Sequence, residues 1–533
     1  MKKINLILLC LVVNITSLSG QIYVKHDATG SNDGTSWNDA YTNLQTAINN
    51  ANVADEVWVA SGTYKPAESP DASAQGDLRS WCFYLNKNIK LYGGFLGTET
   101  TLSQRDFIAN ETILSGEIGN IANFSDNSHH VIIITNTSKD ALLDGFTIEH
   151  GNSKGGVSVN FDGRTFFSQT GGGIYITYAR PTLKNLNISE NRANRGGGIY
   201  INHATQSPFA DRLVMENVTF SFNIAQSVVA GGGILINDAN PIFYNAIFEG
   251  NRAEVLSGVG GTGGAVALVN SDDVRFYNPV FYNNYAFNRG SAITTDDAEF
   301  TILNGTLVNN EKIPLDIQYS TTRSSSVSKS VFFNNGDSSN DDVYGDLDAS
   351  YSSSTYNASD FQTTYGEIEQ VSGHFTDLSS LTATDIFVDI NNPKGNDNLW
   401  RTFDDGLMPK NGSVLLEAAG NTSGPYIYDV TGEFRFFNIQ DLGAYENPGT
   451  LSTNPVLHDE PSYKVYPNPT SLGYINIDAD EALKIEVYDI VGKKINTIYP
   501  TTKTIDVSNL KKGVYLIKIS DKKRSETKKV IVN

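Results

Sequence analysis

Three consecutive glycines, or close variants of them, precede an alternating apolar run at several places in this chain. The strings are GGGIYITY (171–178), GGGIYINH (196–203), GGGILIND (231–238), GGAVALVN (263–270) and GSAITTDD (290–297). A second motif of the FxxN type ends each time in asparagine, and these residues are separated by 32, 28, 33, 26 and 25 positions: Asn191, Asn223, Asn251, Asn284, Asn310 and Asn335. Such a period indicates stacked repeats, and the period-2 alternation excludes helical ones.

A parallel β-helix explains both motifs, because each repeat then forms one coil and equivalent residues stack about 4.8 Å apart. We expect the glycines at a corner where the backbone turns tightly or neighbouring coils approach closely. The apolar residues after them should point into a continuous core: Ile174, Ile199, Ile234, Val266 and Ile293. The FxxN asparagines should take the left-handed conformation and bond to the next coil. Earlier asparagines form a second column: Asn185, Asn217, Asn245, Asn278 and Asn304.

The repeats resemble the FxxN and GGA[ILV] motifs of polymorphic membrane proteins, which are surface adhesins with β-helical passenger domains. The opening IYVKHDATGSNDGTSWNDAYTNLQTAINNA and the segments FVDINNPKGNDNLWRTFDDGL (387–407) and DLGAYE (441–446) resemble the secreted right-handed β-helix proteins of the pectin-lyase-like superfamily. Together these resemblances imply an all-β right-handed parallel β-helix over residues 21–447.

One amphipathic helix is expected within WNDAYTNLQTAINNAN (37–52). Tyr41, Leu44, Ile48 and Ala51 fall on one helical face. A helix there would cover the open first coil, as the terminal repeats of solenoids require.

The first 20 residues read as a secretory signal peptide, since two lysines precede a short apolar stretch and small residues. The stretch is too short for a typical membrane anchor, and the bulky Leu9 before Cys10 disfavours a lipoprotein signal. After cleavage Cys82 is the only thiol, so the mature chain has no internal disulfide, and we expect this thiol to be buried.

The last 72 residues differ in character, with short alternating strands that indicate a small β-sandwich. The ordered strings YPNP, VYDIVGK and LKKGVYLIKI closely resemble the type A C-terminal sorting domain of the type IX secretion system. This resemblance implies export through that machinery, removal of the domain, and release or attachment at the cell surface. We assign 462–533 to this domain and the polar, proline-containing 448–461 to a linker. A resident carbohydrate-binding module is the alternative for the tail.

Charge is divided unevenly along the chain. Residues 461–533 hold 13 Lys and Arg against 8 Asp and Glu, whereas the preceding part holds 26 against 51 and so carries a formal charge of −25. Such a surface repels nucleic acid, anionic lipid and acidic polysaccharides unless a divalent cation bridges them.

Aligning the coils by their glycines places one residue per coil in a corner column: Tyr178, His203, Asp238, Asn270 and Asp297. Adjacent carboxylates there can hold Ca²⁺ or act as an acid and base pair. Turn residues that bond only to their own backbone are the alternative reading. Loops 153–170, 224–230 and 252–262 border this corner, and their neighbouring aromatics suit stacking on sugar rings: Phe161, Phe166, Phe167, Tyr175 and Tyr200.

Two enzyme classes were compared with the sequence. The sequence disfavours a polygalacturonase-like hydrolase, because SDD (271–273) and TDD (295–297) occur without the GHG and RIK motifs of that family. A calcium-assisted polysaccharide lyase needs carboxylates for the metal and a basic group for the C5 proton. The candidate catalytic residues are Asp238, Asp272, Asp297 and Arg180, and the candidate substrate-binding residues are Tyr178, His203, Asn270, Tyr175 and Tyr200.

A separate acidic stretch is a candidate for a structural Ca²⁺ site, with plain turns as the alternative. Its carboxylates alternate with glycine and asparagine: Asp385, Asp389, Asp397 and Asp404.

The sequence therefore predicts a secreted or cell-surface β-helix protein that is not an integral membrane protein. We expect it to bind extracellular polysaccharide or another surface glycan or protein as an adhesin, with a calcium-assisted lyase or other carbohydrate-active enzyme as the alternative.

Overall fold

The computed structural model describes residues 20–447 apart from 122, 157, 204–211, 255–259, 318–324, 337–342, 346–356, 361–374, 421–427 and 436–439. It also describes 463–532 apart from 479–483, 490–492, 499–502 and 521–524. The predicted signal peptide, except Gly20, and the predicted linker lie outside the described residues.

Most coils of the first domain contribute one strand to each of three long parallel sheets. Sheet 1 follows the glycine corner and contains Phe83–Leu85, Ile132–Thr135, Ile174–Thr177, Ile199–Asn202, Ile234–Asn237, Val266–Val269, Ile293–Asp296, Leu315–Ile317 and Val343–Gly345. Sheet 2 contains Gln21–Val24, Glu56–Ala60, Lys90–Phe95, Leu142–Asp144, Thr182–Lys184, Val214–Glu216, Ile242–Tyr244, Val274–Tyr277, Phe300–Leu303 and Ser326–Ser328.

Sheet 3 carries the FxxN strings, and a short fourth sheet leads back to the glycine corner. Sheet 3 contains Gly62–Tyr64, Thr112–Ser115, Thr147–Glu149, Asn187–Ser189, Thr219–Ser221, Ile247–Glu249, Val280–Tyr282, Thr306–Val308, Val331–Phe333, Asn357–Ser359 and Phe375–Asp377. Sheet 4 contains Asn152–Ser153, Arg192–Ala193, Ile224–Ala225, Arg252–Ala253 and Tyr285–Ala286. The chain folds as the right-handed parallel β-helix that its repeats predict.

The glycine corner turns tightly and packs closely at once. Gly231 has φ +61°, and a Cβ on Gly232 would lie 2.2 Å from the carbonyl oxygen of Gly264 in the next coil. The apolar residues that follow the glycines are fully buried in one continuous core, as expected: Ile174, Ile199, Ile234, Val266 and Ile293.

The asparagine prediction was right about the bonds and wrong about the backbone. The side chain of Asn223 donates to Asn251 Oδ1 at 3.0 Å, so the FxxN asparagines do link successive coils. The left-handed conformation belongs instead to the preceding residue, for example Phe222 with φ 56°. With that residue making the turn, the asparagine side chain is free to lie inside, between two coils.

Near the N-terminus the helix Leu44–Asn50 is shorter than the predicted amphipathic stretch. Leu44, Ile48 and Ala51 are buried in the main core, whereas Tyr41 forms an isolated bridge with Val24 outside the helix. The helix contacts Gln21–Val24 and Phe83–Leu85, the first strands of sheets 2 and 1. Its role as a cap remains a prediction.

The remaining described elements lie between the strands of the coils or form the second domain. Short helices lie at Ala72–Ala74, Leu78–Ser80, Leu102–Gln104, Phe124–Asp126 and Ala383–Ile386, and a hairpin is formed by Val159–Phe161 and Arg164–Phe166. The C-terminal domain has two antiparallel sheets with a shared core, made of Lys464–Tyr466, Tyr474–Asp478 and Thr504–Asp506, and of Lys494–Ile498, Lys484–Asp489, Gly513–Ser520 and Ser525–Val532.

Candidate binding site

The corner after sheet 1 aligns the residues that the glycine register predicted. They have left-handed φ values between 47° and 51°: Tyr178, His203, Asp238, Asn270 and Asp297. The backbone N–H groups of Tyr178, His203, Asp238 and Asn270 each donate to a carbonyl oxygen of the next coil, for example Tyr178 to Asn202 and Asp238 to Val269. Asn136, with φ 54°, begins the same column one coil earlier. We call these six residues the corner ladder.

Side chains within the corner ladder contact one another. His203 Nδ1 and Asp238 Oδ2 are 2.7 Å apart, and the imidazole stacks on the Tyr178 ring with centroids separated by 5.2 Å. The guanidinium of Arg164 lies over the same ring at 5.0 Å. About half of Tyr178 is exposed, so the ladder presents the edges of stacked planar groups to solvent.

Arg164 reaches the ladder because the hairpin folds back onto the first coils. Asp162 Oδ2 accepts from Arg164 at 2.5 Å, from Asn136 at 2.6 Å and from the Tyr84 hydroxyl at 3.3 Å. Arg164 also donates to Asn136 Oδ1 at 2.9 Å. These bonds join the hairpin to the ladder in one polar cluster. Sequence reasoning noted this loop but missed both Asp162 and Arg164.

A second row of amides runs beside the ladder. Asn237 donates to Asn202 Oδ1 at 2.7 Å, and Asn270 donates to Asn237 Oδ1 at 3.4 Å. The last residue of each sheet 1 strand could have indicated this row, since Asn202 and Asn237 end equivalent strings. The two rows form a continuous, hydrogen-bonding strip along the axis.

Tyr175, predicted to bind substrate, is placed differently. The hairpin covers it, its exposed fraction is 2%, and it makes edge contacts with Phe166 and Tyr200. Burial raises the pKa of its hydroxyl. Tyr175 and the fully buried Phe166 are therefore packing residues, whereas Tyr200 is only partly buried.

The proposed catalytic set is spread along the axis instead of converging. Arg180 belongs to the coil of Tyr178, and the strand register puts Asp238 two coils, Asp272 three coils and Asp297 four coils beyond it. At about 4.8 Å per coil, Arg180 and Asp297 are about 19 Å apart along the axis. The register therefore contradicts a single centre made of these four residues.

Asp272 lies beside a cationic cluster. Its N–H donates to Asn240 Oδ1 at 2.9 Å. The next residue, Asp273, receives Arg275 at 2.7 Å and Arg212 at 2.7 Å. Burial alone would raise the pKa of Asp273, but hydrogen bonds from Arg275 and Arg212 outweigh it and lower the pKa.

The four carboxylates of the predicted calcium stretch accept hydrogen bonds from nearby backbone or hydroxyl groups. Asp385 caps the helix Ala383–Ile386 through Thr382, and Asp404 accepts from Asn396 at 2.6 Å. Asp389 and Asp397 each accept from the N–H two residues on. Within the described residues, no three His, Cys, Asp or Glu side chains form a group suited to a metal ion.

Comparison with protein families matches two parts of the chain. Residues 172–360 match a family described as the right-handed β-helix region, and residues 464–533 match the secretion system C-terminal sorting domain. This protein is a right-handed parallel β-helix with a type IX secretion sorting domain. It is accordingly a type IX secreted protein, extracellular or at the cell surface. In the part of the chain described, no helix is both long and apolar enough to cross a membrane.

Similarity to individual proteins is more distant. No curated protein matches the chain. Among solved structures, the crystal structure of pectate lyase Pel9A is 14% identical with a TM-score of 0.44, covering 80% of this chain and 96% of that one. A rhamnogalacturonan lyase is 12% identical with a TM-score of 0.37, covering 67% and 84% respectively. At these values neither likeness bears on activity. The outer bounds of both domains remain predictions.

Proposed function

We propose that this β-helix binds a neutral extracellular polysaccharide along the corner ladder, without cleaving it. The observation that carries the proposal is the strip of hydrogen-bonding side chains, one set per coil, that are partly exposed at His203 and Asp238 and exposed at Asn270. A rigid solenoid gives such a strip a regular repeat, which suits a ligand that is itself an extended repeating polymer.

Charge favours a neutral polymer over an acidic one. The chain before residue 461 carries a formal charge of −25, and the ladder itself adds Asp238 and Asp297. Arg164 and the cluster around Arg212 and Arg275 supply positive charge next to the strip, but Asp162 and Asp273 partly neutralise it. An anionic chain would therefore be repelled along most of its length.

Binding is favoured over catalysis by the spacing of the charged groups. A lyase or hydrolase holds its acid, base and charge-stabilising groups around one sugar unit. Arg180 and Asp297 are about 19 Å apart along the axis, at about 4.8 Å per coil. Contacts distributed in this way stabilise a bound polysaccharide at several sugar units. They do not converge on any one glycosidic bond.

The proposal is tested by electrophoresis of the purified full chain through gels that contain different neutral or acidic polysaccharides. Each polysaccharide is sized after incubation with the protein. Retardation by a neutral polysaccharide whose length stays unchanged is the expected result. Shortened polysaccharide chains would show that the protein is an enzyme, and absence of retardation in every gel would favour a protein partner. Either result overturns the proposal.

A matched pair of variants tests the location. Asn270 and Asn283 lie in the same coil, and both are exposed. Both have left-handed φ values, 47° and 55° respectively, but only Asn270 belongs to the corner ladder. Glycine fits that backbone at either position. Because one lost hydrogen bond costs about 1 kcal/mol, Asn270→Gly should weaken binding about five-fold, whereas Asn283→Gly should leave it unchanged.

A further inference from the structure

A buried lysine contacts a buried glutamine where the C-terminal segment of the β-helix domain meets the solenoid. Lys329 follows the strand Ser326–Ser328, has φ 55°, and takes the corner position that Asn304 holds one coil earlier. Its Nζ lies 2.7 Å from Oε1 of Gln440, which is 111 positions further along the chain. The exposed fractions of Lys329 and Gln440 are only 2% and 4%.

The backbone holds both residues in place. The N–H of Gly443 donates to the Lys329 carbonyl oxygen at 2.9 Å, and the N–H of Ala419 donates to the Gln440 carbonyl oxygen at 3.0 Å. A side-chain contact fixed on both sides keeps the amine nitrogen next to the carboxamide carbon for the lifetime of the fold. Such fixed proximity is the condition under which slow intramolecular reactions become fast.

The surroundings supply a carboxylate and a neighbouring cation. Glu446 is 97% buried, and its Oε2 lies 3.3 Å from Arg435 and accepts the N–H of Asp441 at 3.0 Å. Burial and the charge of Arg435 lower the pKa of Lys329 to about 8, although Glu446 acts in the opposite direction. The lowered pKa increases the fraction of the amine that is uncharged and nucleophilic near neutral pH.

We propose that Lys329 and Gln440 react to form an intramolecular isopeptide bond that covalently joins the last coils to the C-terminal segment. The lone pair of Lys329 Nζ attacks Gln440 Cδ, and a new C–N bond forms. The bond from Cδ to the amide nitrogen then breaks. The proton that Nζ loses passes to the leaving nitrogen, and ammonia departs. Nothing is oxidised or reduced, and no co-reactant is needed.

The cross-link would give this secreted protein a covalent tie that cysteine does not provide. Cys10 and Cys82 are the only cysteines of the chain, and Cys82 is buried as a free thiol. Joining residues 111 positions apart closes a long loop, which is where a cross-link removes most entropy from the unfolded chain.

Mass spectrometry of the full chain tests the proposal. Because one ammonia is lost, the intact mass should be about 17 Da below the value calculated from the sequence. Trypsin should yield peptide 324–394, uncleaved after Lys329, joined to peptide 436–464. The full calculated mass for the folded wild-type chain would overturn the proposal, as would a 17 Da loss located elsewhere, such as at Gln21 as a new N-terminus.

Two variants separate this bond from other losses of ammonia. Gln440→Glu preserves size but lacks the amide leaving group, so it should show its full calculated mass and normal cleavage after Lys329. Lys184→Met changes a half-exposed lysine paired with Glu216, and it should retain the 17 Da loss. Persistence of the loss in Gln440→Glu would contradict the assignment.

Discussion

Asn251 illustrates how one buried polar side chain holds neighbouring coils together. Its Oδ1 accepts the N–H and the side-chain amide of Asn223 at 3.2 and 3.0 Å. Its Nδ2 donates to the carbonyl oxygen of Phe220 at 2.8 Å and to Asn284 Oδ1 at 3.0 Å. One residue thus satisfies groups in the coils on both sides of it, which explains why asparagine recurs at this position.

Replacing Asn251 by leucine should be strongly destabilising. The change leaves the donors of Asn223 and the acceptor of Phe220 buried without partners, and each such group costs about 1–3 kcal/mol. We expect Asn251→Leu to lower the free energy of unfolding by about 3–5 kcal/mol in urea titrations. Asn283→Gly, at an exposed turn of the next coil, should change it by less than about 0.5 kcal/mol. A loss below about 1 kcal/mol in Asn251→Leu would contradict the stabilising role of the buried FxxN asparagines.

Two adjacent histidines should make stability depend on pH. Burial lowers the pKa of His130 to about 4 and that of His129 to about 3. His130 Nδ1 lies 2.8 Å from the carbonyl oxygen of Gly171, so the neutral ring donates there. A depressed folded-state pKa means that the unfolded chain binds protons first. Stability is therefore retained above pH 6.5 and lost as pH falls towards 4.

The expected slope is about 1.4 kcal/mol per pH unit for each histidine between about pH 6.5 and its folded pKa. Unfolding free energies measured from pH 7.5 to 4.5 test this. His130→Gln should be less stable than wild type at pH 7.5 because it loses packing, and the difference should shrink on acidification. Parallel curves for the two proteins would contradict the explanation.

At the scale of the element, the glycine corner is defined by distance as well as by conformation. Gly232 has carbonyl oxygens of Gly264 and Arg252 at 2.2 and 2.6 Å from the position of a Cβ. Both atoms are backbone atoms of the coil stack and cannot move aside without shifting a coil. At Gly232 the neighbouring coils therefore leave no room even for the methyl group of alanine, whereas a later coil of the same corner carries Ser291 and Ala292.

We expect Gly232→Ala to lower the free energy of unfolding by about 2–4 kcal/mol, in the range of strongly disruptive substitutions. Gly76→Ala is the matched control, since nothing lies within 4 Å of its Cβ position. Thermal or urea unfolding of both variants measures the difference. Equal stability of Gly232→Ala and Gly76→Ala would show that the coils do not approach as closely as described.

The repeated elements were predictable from sequence because their register is local. Successive coils repeat the glycine and asparagine motifs or close variants of them, so alignment of the motifs already aligns Tyr178, His203 and Asp238 in space. The hairpin Val159–Phe166 was not predictable in the same way. The hairpin occurs once in the chain. Its position depends on contacts such as that of Asp162 with Asn136, which the repeat pattern does not predict.

At the scale of the whole molecule, the features of the site that repeat in each coil were predictable, whereas distances along the axis and contacts that occur once were not. Sequence alignment predicted which residues share the corner, but it did not show how far along the axis they lie from one another. Arg180 and Asp297 seemed compatible with one centre until the strand register put four coils between them. Tyr175 seemed available to a sugar because the sequence of its own coil does not indicate that a hairpin covers it.

The central claim is that the ladder binds a polymer over several coils. Calorimetric titration with neutral oligosaccharides of increasing length, taken from the polysaccharide that retards the protein, tests it most directly. Affinity should rise with length and level off once the chain spans the ladder from Tyr178 to Asp297, about 19 Å at 4.8 Å per coil. Affinity already maximal for a single sugar unit, or no binding at any length, would contradict the account.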